Sequence, residues 1–153
     1  MEKIQPKLFT GIVGSRKRNS IEDEKCVEEA FVKEMGTRGL RPEEVAIVSG
    51  GCPKGGDRIA EDLVKKYNTC GGTTWIYPAK WADIDSVGPE GEQALVKINR
   101  WGKKYNFYAG QWRNSDIVNR SDIIIACVAK TRTGGTEDTV TKALAQGKEV
   151  ILV

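Results

Sequence analysis

The chain contains no histidine. That absence removes Ser-His-Asp and Cys-His catalysis within one chain, along with any imidazole base. It also argues against zinc, because the four cysteines, Cys26, Cys52, Cys70 and Cys127, show no Cys-x-x-Cys spacing. No metal and no cofactor are expected. Cys127 falls in an apolar strand pattern and Cys26 in a helical one, so both are expected to pack. Cys52, in a glycine-rich loop, has a reactive alternative. No apolar run approaches the roughly 20 residues that span a bilayer. Residues 1–6 lack the apolar core of a signal peptide. The expectation is a cytoplasmic protein with no membrane partner. Strong charge bias is missing too: 24 Lys and Arg against 21 Asp and Glu leave a formal charge of +3. That total does not mark a strong nucleic-acid binder.

What the chain does have is glycine, at 17 of 153 residues. Three glycine-rich turns each follow an apolar run and precede a helical pattern. The first is Gly14-Ser15-Arg16, after residues 8–13. The second is Ser49-Gly50-Gly51, continuing to Gly55-Gly56-Asp57, after residues 45–48. The third is Gly134-Gly135-Thr136, after residues 123–128. Glycine lets backbone N–H groups approach a ligand with no Cβ in the way. A helix starting there adds unpaired N–H groups and the positive end of its dipole. Such turns along one sheet edge make an anion site, most often for a nucleotide phosphate.

The length suits one domain, spanning 1–153, and the 39% hydrophobic and 29% charged residues suit a globular one. Strands are expected at 8–13, 45–48, 73–77, 123–128 and 149–153. Helices are expected from Ser20 to Gly36, from Asp57 through Tyr67, at 111–119 and at 137–146. Between them, Leu95, Ile98, Trp101 and Tyr105 repeat at helical spacing. Alternating strands and helices imply a Rossmann-like three-layer α/β/α domain with a five-stranded parallel sheet in the order 3-2-1-4-5. Ligands of such sheets bind where the strand order reverses, here between Gly14-Ser15-Arg16 and the 129–135 loop.

Neither common nucleotide fingerprint fits. Gly11-x-x-Gly14 is not Gly-x-Gly-x-x-Gly, and the second strand ends without the acid that holds an NAD ribose. Gly50 to Gly55 has P-loop spacing, but Gly56-Asp57 stands where Lys-Ser/Thr belongs. Four other motifs occur in order. They are residues 11–16 (Gly-Ile-Val-Gly-Ser-Arg), Ser49-Gly50-Gly51 with Gly55-Gly56-Asp57-Arg58, Trp112-Arg113-Asn114, and Gly134-Gly135-Thr136-Glu137-Asp138-Thr139. In these the chain resembles the SLOG superfamily of Rossmann-like proteins, which includes DNA-processing protein A and the Lonely Guy phosphoribohydrolases. Trp81, and Gly102 spaced to Ala109-Gly110, make it most similar to the small YspA-like branch (the DUF2493 type). The resemblance covers nearly the whole chain.

It implies a nucleotide or nucleotide-derived small molecule as partner. Gly14, Ser15, Arg16, Ser49, Gly50, Gly51, Asp57, Arg113, Asn114, Gly134, Gly135 and Thr136 are its candidate site. Ser15, Ser49 and Thr136 either donate hydroxyls to phosphate or cap turns and helices. Asp57 either accepts ribose hydroxyls or caps its helix. Arg113 either forks onto phosphate or forms a salt bridge. Trp75 is expected in the core, whereas Trp81 and Trp112 either pack or stack on a base. The phosphoribohydrolases carry a glutamate where this chain has Thr139, so the resemblance does not carry their hydrolysis over, and no catalytic residue is assigned. An N-glycosidic hydrolase is one alternative function. Single-stranded DNA is the alternative partner, suggested by Arg16, Lys17, Arg18, Lys54, Arg58, Lys130 and Arg132 on the crevice rim. A homo-oligomer is compatible with either.

Overall fold

The computed structural model describes residues 5–52 and 54–153; most of the N-terminal stretch read above for a leader, residues 1–4, lies outside them. The element order is β1 (Leu8–Gly14), α1 (Ile21–Arg38), β2 (Val45–Val48), α2 (Gly56–Tyr67), β3 (Val96–Ile98), β4 (Lys104–Asn106), α3 (Ala109–Arg120), β5 (Ile123–Cys127), α4 (Gly135–Ala145) and β6 (Glu149–Leu152). The main sheet has four parallel strands in the order β2-β1-β5-β6. Among the described residues no helix is long and apolar enough to cross a membrane.

Strand alternation assigns the two faces. Ile12, Ile47, Ile125 and Cys127 point to a core shared with Val27, Phe31 and Met35 of α1 and Ile59 and Leu63 of α2. Their neighbours Val13, Val48, Ile124 and Ala126 point to the opposite core, with Ile117 and Val118 of α3 and Val140 and Ala143 of α4. A strand buried on both faces has no polar alternation, which is why β1, β2 and β5 read as apolar runs. The crossovers from β1 therefore lie on one face and those to β5 and β6 on the other. The chain reverses between β1 and β5, and the crevice opens there.

Local chemistry sets the helix ends. Ser20 accepts from the Asp23 N–H at 3.1 Å while Asp23 accepts from the Ser20 N–H at 3.1 Å, a reciprocal cap at the start of α1. The helix runs past Gly36, the expected stop, and ends on Gly39 in the left-handed region.

Two expectations fail in the middle of the chain. The stretch expected as a third strand is instead a 3-10 turn, Gly72–Trp75, followed by one parallel bridge from Ile76 to Ser49. The turn wins because Gly71 and Gly72 both take positive φ and the Thr74 hydroxyl bonds back to Gly71 O at 2.5 Å. Pro78 then supplies no donor to extend the bridge. The helix expected through Leu95, Ile98, Trp101 and Tyr105 is the antiparallel hairpin β3–β4. Asn99 decides it: its carbonyl accepts from the Gly102 N–H at 3.0 Å, and its side chain from Trp101 and Lys103. Gly102 takes φ 78°, closing the turn as a hairpin with a bulge.

Packing corrects one side chain and places another at the edge of the core. Cys26 is exposed on α1 rather than buried. Trp75 is half-buried, edge-on to Phe9 with ring centroids 5.0 Å apart, and has the Arg120 guanidinium 4.4 Å over its ring.

The start of α2 sits directly on the end of β1. A Cβ at Gly56 would lie 2.6 Å from the Gly14 Cα and collide with the adjoining backbone. Gly56→Ala is expected to destabilise the fold by about 1–3 kcal/mol, the usual cost of overpacking. Urea unfolding measures it. A loss below about 0.5 kcal/mol would contradict this close approach.

Candidate functional site

A cleft of about 340 Å³ opens at the carboxyl ends of β1 and β5. Nine of the candidate residues line it: Gly14, Ser15, Arg16, Asp57, Arg113, Asn114, Gly134, Gly135 and Thr136. Ser49, Gly50 and Gly51 do not. They lie beneath the wall and organise it.

The wall is built around Arg113 on α3. Its Nη1 donates to Gly50 O at 2.9 Å and lies 3.8 Å from Asp57 Oδ2, while its Nε donates to Asn114 Oδ1 at 3.1 Å. Gly50 leaves the room this arrangement uses, since a Cβ would run into the guanidinium unless the arginine shifted. Asn114 continues the network, its Nδ2 donating to Gly135 O at 3.2 Å and to Asp138 Oδ2 at 3.0 Å. One arginine thus links the loop after β2, the first turn of α2, α3, and the first turn of α4. Only its Nη2 lacks a partner among the described residues.

Asp57 lines the cleft but does not cap its helix, and its carboxylate is engaged within the fold. The N-cap of α2 is Gly55. The Asp57 carboxylate accepts from the Ser49 hydroxyl at 3.1 Å and the Cys52 N–H at 3.0 Å. These bonds hold a carboxylate in a nearly buried position, which costs free energy unless it is partnered. The buried Ser49 is therefore a support for Asp57, not a phosphate donor. Gly51, at φ 74°, turns the chain over Ile76.

The three glycine turns differ in what they leave free. In the first, the Ser15 N–H is spent on Cys127 O at 2.9 Å and the Ser15 hydroxyl accepts from the Lys17 N–H at 3.2 Å. In the second, the Gly55 N–H donates to Asn19 Oδ1 at 2.9 Å, so an asparagine from the β1–α1 loop covers the start of α2. Sequence reading missed Asn19. The third stays open: α4 begins at Gly135 behind Gly134, with no side-chain cap. A Cβ on Gly135 would meet nothing closer than Asn114 Nδ2 at 3.8 Å. The Gly135, Thr136 and Glu137 N–H groups have no acceptor among the described residues.

Charge is sorted in the same way. Arg18 donates to Val128 O at 2.7 Å, Val153 O at 3.0 Å and Asp23 Oδ1 at 2.5 Å, tying the ends of β5 and β6 to α1. Arg58 pairs with Asp62 at 2.6 Å, and Arg132 makes two 2.7 Å bonds to Glu137, which hold that carboxyl below its usual range. Arg16, Lys17 and Lys54 line the cleft with no ion pair among the described residues. Lys17 and Lys54 belong to the site although only the DNA alternative pointed to them.

Among the described residues, the carboxylates at and next to the cleft all have partners. Asp57 is held as described, Asp138 pairs with Lys142 at 3.1 Å, and Glu137 pairs with Arg132. Thr139, where a phosphoribohydrolase carries glutamate, turns its hydroxyl back to Gly135 O at 3.1 Å. Cys127 does not line the cleft; buried in the core against α1 and α2, its thiol is pushed up to about 11, so it is no nucleophile near neutral pH. No group of three or more acidic or cysteine side chains that could hold a metal ion occurs among the described residues. Comparison with protein-family models, curated proteins and solved structures gives no match.

Because Arg113 is built into the wall, removing it disturbs the fold before it reports on any ligand. Arg113→Ala is expected to lower stability by about 2 kcal/mol or more, since Gly50 O loses a charged donor and the Asp57 carboxylate loses its neighbouring cation. Arg113→Lys should recover little, because an ammonium cannot bridge the same acceptors. Urea unfolding of both variants checks this, and a near-neutral Arg113→Ala would contradict the network.

Proposed function

We propose that the chain binds a nucleotide or phosphoribosyl-type ligand, with its phosphate in the cleft between the Gly14–Lys17 turn and the start of α4. The observation that carries this reading is the convergence of unsatisfied positive groups on one cavity. Arg16, Lys17 and Lys54 face it without counter-charges, and the first turn of α4 opens onto it without a cap. An anion satisfies all of them at once. The Ser15 and Thr136 hydroxyls, also lining the cleft, supply further donors. The resemblance to the SLOG superfamily agrees with this, and we propose membership on the order and spacing of its motifs.

Binding is favoured over catalysis. Cleaving an N-glycosidic bond needs an acid or a water-activating carboxylate, and each carboxylate at this cleft already has fixed partners. The single-stranded DNA alternative is weakened, because Arg18, Arg58 and Arg132 of the proposed rim are committed within the fold.

Three measurements test the reading. Phosphate-bearing nucleotides should raise the melting temperature and the matching nucleosides should do so much less. Linkage gives about 2.7 kcal/mol at one hundred times the dissociation constant. Cys52 lines the cleft and Cys26 lies exposed on α1, so ligand should slow alkylation of Cys52 and leave Cys26 unaffected. Gly135→Val should keep the fold, since its Cβ has room, yet lower affinity at least about tenfold by covering the α4 N–H groups. A folded Gly135→Val variant with full affinity would move the phosphate elsewhere.

A further inference from the structure

A second cavity, of about 580 Å³, opens beside the cleft, and Arg113 lines both. Its walls come from the irregular segment between α2 and α3 and from α3 itself. Tyr77, Pro78, Pro89 and Trp112 supply flat apolar surfaces, and Lys80 and Asp116 supply charge. The Trp112 indole is held in place by the turn above it. Gly88 donates to Glu92 O at 2.7 Å and accepts from the Gly91 N–H at 3.0 Å, and a Cβ on Gly88 would lie 2.5 Å from the indole ring. Trp112 Nε1 is buried and has no acceptor among the described residues, so the ring acts as a wall and not as a hydrogen-bonding group.

The two acids of this cavity differ. Asp83 accepts from the Ser86 N–H at 3.2 Å and closes its own turn. Asp116, on the α3 turn after Arg113, has no hydrogen bond or ion pair among the described residues. Partial desolvation against the wall raises its carboxyl from the usual range, while the Lys80 charge acts in the opposite direction. A carboxylate and an ammonium lining one cavity with aromatic surfaces match one nucleobase edge. Guanine offers two adjacent N–H donors, at N1 and the 2-amino group, to a carboxylate, and its O6 to an ammonium. Adenine turns the N1 lone pair toward the same carboxylate, which repels it.

We infer that the second cavity takes the base of the nucleotide whose phosphate occupies the cleft, and that Asp116 with Lys80 selects guanine. This inference rests on the anion-site reading above. Arg113 stands between the two cavities, its Nη2 free toward the ribose or phosphate that joins them.

Calorimetric titration with inorganic phosphate, ribose 5-phosphate, AMP and GMP tests it. GMP is expected to bind at least about tenfold tighter than AMP or ribose 5-phosphate, the discrimination of one good bidentate contact. In Asp116→Asn the GMP-to-AMP ratio should fall to about one, with thermal melting to verify the fold. Tyr77→Ala should lower the affinity of both purine nucleotides relative to ribose 5-phosphate. If ribose 5-phosphate binds as tightly as GMP, the base pocket is overturned and the anion site stands. Equal affinity for GMP and AMP in the unsubstituted chain overturns the guanine selection. If none of the four probes binds, the anion site fails and the base pocket fails with it.

Discussion

The guanidinium of Arg113 holds the functional edge of this fold together. It reaches Gly50 O, the Asp57 carboxylate and the Asn114 side chain, and Asn114 in turn reaches Gly135 O and Asp138. Two elements from each side of the sheet meet at that one group. A nearly buried carboxylate needs a donor set of this kind, because leaving it unpaired costs several kcal/mol. The Gly50 carbonyl and the Asp57 carboxylate tie Arg113 to the loop after β2 and to α2, and Asn114, which accepts from Arg113, carries the link to the first turn of α4. The cleft and the neighbouring cavity lie on either side of this fixed centre.

A division of labour among the polar groups follows. Arg18, Arg58 and Arg132 look like ligand-binding rim in the sequence, yet each spends its donors inside the fold. Arg16, Lys17 and Lys54 do not. Likewise, of three glycine-rich turns, the first packs at Gly14 against Gly56 of the second, the second also folds around Arg113 at Gly50, and the third opens onto the cleft at Gly135. Glycine marks both close packing and ligand approach, and the two uses differ only in what occupies the space of the missing Cβ. The same economy bears on chemistry. The chain has no histidine, and among the described residues Asp57, Glu137 and Asp138 each have partners within the fold.

The sheet was legible because β1, β2 and β5 are buried on both faces and read as continuous apolar runs, and the order of glycine turns located the crevice at the reversal between β1 and β5. The segment from Asn68 to Tyr108 was not. Residues 73–77 carry strand-forming side chains, but paired glycines and a threonine hydroxyl redirect the backbone into a 3-10 turn. Leu95, Ile98, Trp101 and Tyr105 have helical spacing by coincidence, and the Asn99 to Gly102 turn signal was the stronger one. Ser49 and Asp57 were recognised as site residues without their mutual bond, since eight positions in sequence do not reveal a pair that a helix start brings to 3.1 Å. Asn19 gave no periodic or motif signal, because its role depends on a tertiary contact with Gly55.

The central claim is that the open first turn of α4, facing Arg16, Lys17 and Lys54, receives a phosphate. Backbone amide NMR during titration with ribose 5-phosphate reads that directly. The account predicts saturable shifts largest at the Gly135, Thr136 and Glu137 amides and at Arg16, with the β3–β4 hairpin unmoved. Shifts that are absent at millimolar ligand, or that centre on the hairpin instead of α4, would contradict it.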